Sequence, residues 1–559
     1  MPFFSASRET AINYLSTVLT VDDMLGFGPQ ETLSEEDFIP EDDDATEYGV
    51  ADIDNNNNEE TPLADHYLDY QELSKSFASF GLHCSGLKPD TTKPVSDVVD
   101  DIILSANKSD LCIFDWEMEA LKDGSTAKSV IEKLVANDYA LNGRLRLVVI
   151  YTGVDQAKHR IDIIDPIARL IETKLNGISS HTVKVTDQHV DICDQDENCS
   201  WRVVCVGKGT VDPSQLANIT IDEFVDLTAG LLSNATLASI AELRLHTNSL
   251  LYKFNKNLDF AFISHVLGLM SSPLSRGNAN NVSIDYAIDL VSEEIKSLLQ
   301  NSSLLKDEFK EERMSKWPKF KNSNDQVKYL LEYSDKSHEL TADELLSVMN
   351  ISNQSDEDYD TILNGLQITK SKFKNSAISL SLKGDDAKLY LEKLSSIEGV
   401  RRSVCSHKTS TPISLKQGTI LEINDMIFVC IQPLCDSVRL QDNTDFVFLK
   451  SVFDETDGKF THVVKHEDEY IKLYLVPGKN GVHNFTFKPD ANRGEIISVF
   501  ENEKHFFNAE YNLNGIVDIK IKLRWLGELK SNVAQSLCTN LASQLSRVGL
   551  DTNEWLRLQ

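Results

Sequence analysis

Four apolar runs near the start of this chain each end abruptly in a polar side chain. They are TVLTV before the pair Asp22-Asp23, LCIF before Asp115, RLVVIY before Thr152, and WRVVCVG before Lys208. Between them lie segments apolar at helical spacing: YQELSKSFASFG, SDVVDDIILSAN, KSVIEKLVAND and DIIDPIARLIETKL. Strand patterns alternating with helix patterns predict a parallel sheet with right-handed crossovers. With LHCSGL as an edge strand, the expected strand order is the flavodoxin-like 2-1-3-4-5. In such a sheet ligands bind at the carboxyl ends of the strands, which is where all the polar groups fall.

Those residue types suit one chemistry. A carboxylate can attack phosphorus and form an aspartyl-phosphate, and Asp115 is the candidate nucleophile. Its charge repels the incoming phosphoryl group, so a hard cation must lie between them; Mg2+ held by carboxylates suits this, with Asp22 and Asp23 as ligands. Thr152 and Lys208 supply the hydroxyl and the ammonium that meet charge on the transferred group. Gly153 leaves room beside them. Lys184, in HTVKVTD, competes with Lys208 for the cationic position, but WRVVCVGKG is the longer buried-strand pattern.

This constellation resembles the receiver domain of response regulators over roughly Tyr14 to Leu216. The resemblance implies Asp115 as phosphoacceptor and Asp22, Asp23, Asp115 and the backbone carbonyl of Glu117 as the Mg2+ site, with Thr152 and Lys208 contacting phosphate. Two positions depart from the pattern. Gly209 stands where proline often follows the lysine, and Cys205 stands where the switch aromatic is usual. Together with CIQPLCDSVRL and the terminal SRVGLDTNEWLR, the chain is similar to a divergent receiver family of bacterial antiviral defence, of the buffer type found in the Detocs system. That likeness implies a phosphoryl sink without catalytic output, fed by a sensor histidine kinase and acting indirectly on a receiver-bearing effector. The alternative is a receiver-controlled effector whose C-terminal region is an unrecognised enzyme or binding module.

The expected organisation is a receiver at 1–217, a helical domain at 218–335, a mixed, strand-rich α+β domain at 336–525, and a C-terminal helix and tail at 526–559. The receiver carries insertions at about 25–66 and 177–200. From Glu31 to Asp65 the first insertion holds fourteen acidic residues and no Lys or Arg, too little apolar surface to offset its ordering entropy. A helix is expected over TIDEFVDLTAGLLSNATLASIAELRLHTNSLLYKFN, capped by Thr220 or Asp222. The last helix shows a stripe of Leu526, Leu529, Val533, Leu537, Leu541 and Leu545, stopped by Gly549 and expected to pack on the protein's own body, with self-association as the alternative.

Function classes are also excluded. A formal charge of -32 argues against nucleic acid as a partner. No basic stretch leads an apolar core at the N-terminus, and the longest apolar stretch, DFAFISHVLGLM, is too short to span a bilayer, so a cytoplasmic protein without a membrane partner is expected. The nine cysteines fall mostly inside apolar runs, and disulfides are not expected; Cys193 and Cys199 form the one close pair in a polar segment. His246 and His265 read as packed or solvated helical residues without the acidic neighbourhood of a phosphotransfer histidine. Cys435, Asp436 and Arg439 read first as a core residue and a cap, and only second as a ligand cluster.

Overall fold

The computed structural model describes residues 2–27, 67–90, 92–118, 123–140, 143–176, 181–194, 198–271, 279–317, 328–333, 336–349, 356–365, 378–382, 387–403, 410–438, 440–453, 460–466, 469–475, 481–491, 493–512 and 518–545. Nearly all of the acidic insertion at 25–66 lies outside them, as do Gly549 and Arg439. The chain divides into two compact units, Met1–Thr247 with Leu298–Ser323, and Asn248–Ser297 with Asn324–Gln559.

The first unit is built on seven strands: β1 Thr17–Val21, β2 His83–Leu87, β3 Leu111–Phe114, β4 Arg146–Thr152, β5 Thr182–Val185, β6 His189–Cys193 and β7 Cys199–Gly207. They lie in the order β2-β1-β3-β4-β7-β6-β5. The first five of that order are parallel, with each crossover holding at least one helix. Taken in chain order they make the flavodoxin-like 2-1-3-4-5 arrangement. Alternate strand residues point to opposite faces, and the two cores divide accordingly. Leu19, Cys112, Phe114, Val148 and Ile150 pack under α3 Val95–Ala106, α4 Ser125–Ala140 and α5 Asp165–Leu175. Val18, Leu111, Ile113, Leu147 and Val149 pack under α1 Pro2–Tyr14, α2 Tyr70–Ala78 and α6 Pro213–Thr228.

Three local expectations are corrected. The second insertion at 177–200 itself stands and contains the hairpin β5–β6, which adds two antiparallel strands beyond β7. Its polar, alternating residues suit a sheet margin, so it lacks the unbroken apolar run of the inner strands. The hairpin also overturns the expectation of no disulfide. A register shift at Ile192/Cys193 sets Cys193 opposite Cys199, Cα atoms 3.9 Å apart, and the two are bonded. The helix expected to be capped by Thr220 or Asp222 begins at Pro213, with Asp212 at its N-cap. Thr220 lies fully buried within it, and the chain breaks at Gly230 before α7 Leu231–Lys253.

In the second unit a six-stranded antiparallel barrel closes through β12 Thr419–Ile423, β13 Met426–Cys430, β14 Thr444–Phe453, β17 Val482–Phe487, β19 Lys504–Asn512 and β20 Asp518–Leu529. Its interior is aromatic, with Phe428, Phe446, Phe448, Phe485, Phe487, Phe507 and Trp525 in one cluster. β11 Val400–Ser403 flanks β20, β15 His462–His466 and β16 Glu469–Leu475 extend from β14, and β18 Val499–Glu501 pairs with β19. A separate three-stranded sheet comprises β8 Tyr329–Tyr333, β9 Lys336–Leu340 and β10 Ile378–Leu382. The unit's helices include α8 Asp259–Ser271, most of α9 Ala279–Asn301, and α12 Ala342–Met349, α13 Asp356–Gly365 and α14 Ala387–Gly399. The short α10 Ser303–Glu308 and α11 Glu311–Met314 fall in the first unit.

The third correction concerns the C-terminal stripe. Helix α15 runs Ser531–Leu545, so Leu526 and Leu529 belong to β20 and not to a helix beginning at 526. Strand and helix contribute to one core nonetheless, since Leu526, Leu529, Val533, Leu537 and Leu541 pack in the same cluster.

Candidate functional site

The backbone of the site is set by the parallel ladder. Asp22, Asp115 and Lys208 each take the first position past a strand and still donate their N–H to a neighbouring strand or strand end: Asp22 to the Leu87 carbonyl (3.3 Å), Asp115 to that of Val21 (2.9 Å), Lys208 to that of Thr152 (2.7 Å). The ends of β1, β3, β4 and β7 are therefore level, and the side chains beyond them converge.

Lys208 joins them. Its Nζ lies 2.7 Å from Asp22 Oδ2 and 3.2 Å from Asp115 Oδ2. Carboxylate oxygens of Asp22, Asp23 and Asp115 lie within 4.8 Å of one another. Asp22 and Asp115 are only 1% and 2% exposed, while Asp23 is half-buried. Met24 N–H donates to Asp22 Oδ1 (2.8 Å) and Trp116 N–H to Asp115 Oδ1 (2.7 Å).

Burial dominates the electrostatics. Desolvation holds the Asp22 and Asp115 carboxyls above the ordinary carboxylate range, helped by their negative neighbours and opposed by Lys208. For Lys208, burial works against its charge, but the two carboxylates outweigh it and its pKa is raised. One ammonium thus faces three carboxylates in a site of low dielectric. Three oxygen ligands at this spacing suit a hard divalent ion.

The structure brings Asp22, Asp23, Asp115 and Lys208 together. Thr152 is fully buried at the end of the adjacent strand, its Oγ accepting from Val154 N–H (3.2 Å). Glu117 follows two residues after Asp115 and is half-buried. Lys184 sits on β5, two strands beyond β7. Cys205 is buried in β7.

Sequence reasoning missed three neighbours. Trp116 is buried beside Lys128, whose Nζ lies 5.2 Å from the indole centroid. Gly124 (φ 69°) lets the chain pass so close to that indole that a Cβ would come within 2.3 Å of it. His159, in the π-helical turn His159–Ile164, bonds the Val154 carbonyl through Nε2 (2.8 Å) and lies against Gly207. An aromatic directly after the strand-end Asp was the visible signal for Trp116; nothing local marked His159.

Elsewhere, Cys435 is exposed and donates to Asp436 Oδ1 (3.3 Å). His246 does have an acidic neighbour, against expectation, with Nε2 2.9 Å from Glu242 one helical turn away. His265 lies tilted against Tyr286, ring centroids 4.3 Å apart. Among the described residues no helix is long and apolar enough to cross a membrane.

Residues 14–203 match the family model of a response receiver domain, a match that ends short of Lys208. No curated protein and no solved structure matches the chain. A receiver domain accepts a phosphoryl group, so this match implies a phosphodonor partner.

Proposed function

We propose that this chain takes a phosphoryl group from a sensor histidine kinase onto Asp115 and holds it as a sink, without catalytic output of its own. The observation that carries this reading is the buried carboxylate cluster locked to Lys208 at the C-terminal edge of a receiver sheet. An Asp115 carboxylate oxygen attacks the phosphorus of a phosphohistidine; the new P–O bond forms as the P–N bond breaks, and the imidazole keeps the electron pair and takes up a proton. Later attack by water returns inorganic phosphate and the free carboxylate. Asp22, Asp23, Asp115 and the Glu117 carbonyl would hold Mg2+, which supplies charge neutralisation between the carboxylates and the phosphoryl oxygens. Lys208 would move from its carboxylate partners onto those oxygens, and Thr152 would offer its hydroxyl.

The sink role rests on the resemblance to the buffer type of the Detocs antiviral system, and on Cys205 and Gly209 in place of the usual coupling residues. Such a protein works in the cytoplasm, competing with a receiver-bearing effector for one kinase. Its test is growth of uninfected cells carrying the complete operon. Asp115→Ala should free the basal kinase output to reach the effector and slow growth, and inactivating the kinase should restore it. A harmless Asp115→Ala, or toxicity that survives loss of the kinase, would remove the sink and favour a receiver-controlled effector. Asp22→Asn/Asp23→Asn should lose Mg2+ binding by titration; unchanged affinity would show the pair to be acidic surface.

A further inference from the structure

The second unit holds a cavity of about 560 Å³ beside the barrel, and its charge is opposite to that of the chain. Four cationic side chains line it, Arg401, Arg402, Lys416 and Arg493, against the carboxylates of Asp289, Glu495 and Glu528, in a protein of net charge -32. The arrangement is built into the sheet. Successive residues of a strand ordinarily face opposite ways. Here a bulge in β11, where the register shifts between Val400 and Arg402, lets consecutive arginines reach one carboxylate. Arg401 Nη2 lies 2.6 Å from Glu528 Oε1, Arg402 Nε lies 2.8 Å from Oε2, and Lys416 Nζ lies 3.4 Å from Oε1.

Glu528 is 3% exposed, so it serves as an internal counter-charge for three cations that remain partly open to the cavity. The close approach of β11 depends on Gly527, where a Cβ would meet the Arg402 carbonyl at 2.7 Å. Ser531, the first residue of α15, also lines the cavity and brings a helix N-terminus with its free N–H groups to the same wall. On the other side stand apolar residues, among them the exposed Ile288 and Leu434. Leu434 belongs to CIQPLCDSVRL, the segment that the receiver chemistry leaves unused.

We infer that this cavity binds an anionic, phosphorylated small molecule. Arginine forks and a helix N-terminus are the groups that hold phosphate. Four cations against three carboxylates leave the lining net positive, and the volume exceeds that of a single phosphate while falling in the range of small-molecule sites. The apolar wall takes the rest of the ligand. This site is independent of Asp115.

The test uses the full chain, with ATP, pyrophosphate and citrate as probes in metal-free buffer and sulfate at matched ionic strength as control. Binding is read by calorimetry and by melting temperature. At least one phosphorylated probe should bind saturably and raise the melting temperature by about 3 °C or more at saturation. Lys416→Ala/Arg493→Ala should weaken it about tenfold or more, while Asp115→Ala leaves it unchanged. If the double variant melts early, Arg493→Glu alone, in an exposed turn, should give the same loss. Binding no better than sulfate, binding of citrate as tight as that of the phosphorylated probes, or binding indifferent to these substitutions would each overturn the assignment.

Discussion

Removing the cation that joins the carboxylates is the sharpest perturbation of the site. Lys208→Met keeps most of the buried stem and deletes an ammonium that lies 2.7 Å from Asp22 and 3.2 Å from Asp115. At an effective dielectric of about 20, the two attractions are worth roughly 6 and 5 kcal/mol gross. Much of that is cancelled by the desolvation of Lys208 itself, and breaking a buried pair from one side costs about 3–5 kcal/mol net. For a unit of this size the melting temperature should fall by roughly 6–20 °C at pH 7. The sign of the pH effect follows from the carboxyls. Both have folded pKa values raised above the unfolded 3.8, and losing Lys208 raises them further. The folded state then binds more protons than the unfolded one, so stability increases as pH falls through the folded values toward 3.8. The deficit of Lys208→Met against wild type should be largest near pH 7 and shrink toward pH 4, and added Mg2+ should recover part of it. Thermal melts in metal-free buffer across that range, with exchange of the β1 and β3 amides to identify the transition, measure this. Equal melting at pH 7, or a deficit that does not shrink on acidification, would refute the electrostatic account.

Two further outcomes are expected. His462 is buried with its pKa pushed down to about 4, so the unfolded state binds the extra proton between that value and 6.5; the barrel unit should lose about 3 kcal/mol as pH falls from 6.5 to 4, and His462→Phe should flatten that slope in denaturant titrations. Gly124→Ala should cost about 1–3 kcal/mol and slow phosphorylation of Asp115, because a Cβ there collides with Trp116 in a backbone conformation that favours glycine; a wild-type rate and melt would show that the Trp116 contact is slack.

The site was legible because its logic is local. An apolar run that stops at a polar side chain states both its strand and its sheet edge, and four such runs in alternation with helices, with LHCSGL as the edge strand, point to the order of the parallel strands. Other features depend on partners distant in the chain. The hairpin Thr182–Cys193 has a polar, alternating pattern that only becomes a strand pair against β7, and the Cys193–Cys199 bond depends on a register shift that no spacing rule shows. Leu526 and Leu529 continue the apolar spacing of the following helix, so the strand-to-helix junction at Lys530 was hidden within one stripe. Barrel closure through β19 and β20 is likewise a pairing of whole strands that periodicity cannot express. Glu242 is a different case: it stands four residues before His246, and helical spacing alone would have found it.

The central claim is that Asp115 carries the phosphoryl group, and it is met most directly by locating the label. The chain is incubated with a small phosphodonor and Mg2+, the acyl phosphate is trapped with borohydride, and the peptides are read by mass spectrometry. The modification should fall on Asp115 alone, depend on Mg2+, and vanish in Asp115→Ala and Asp115→Asn. Label at full level in Asp115→Ala, or residing on another carboxylate, would contradict the account.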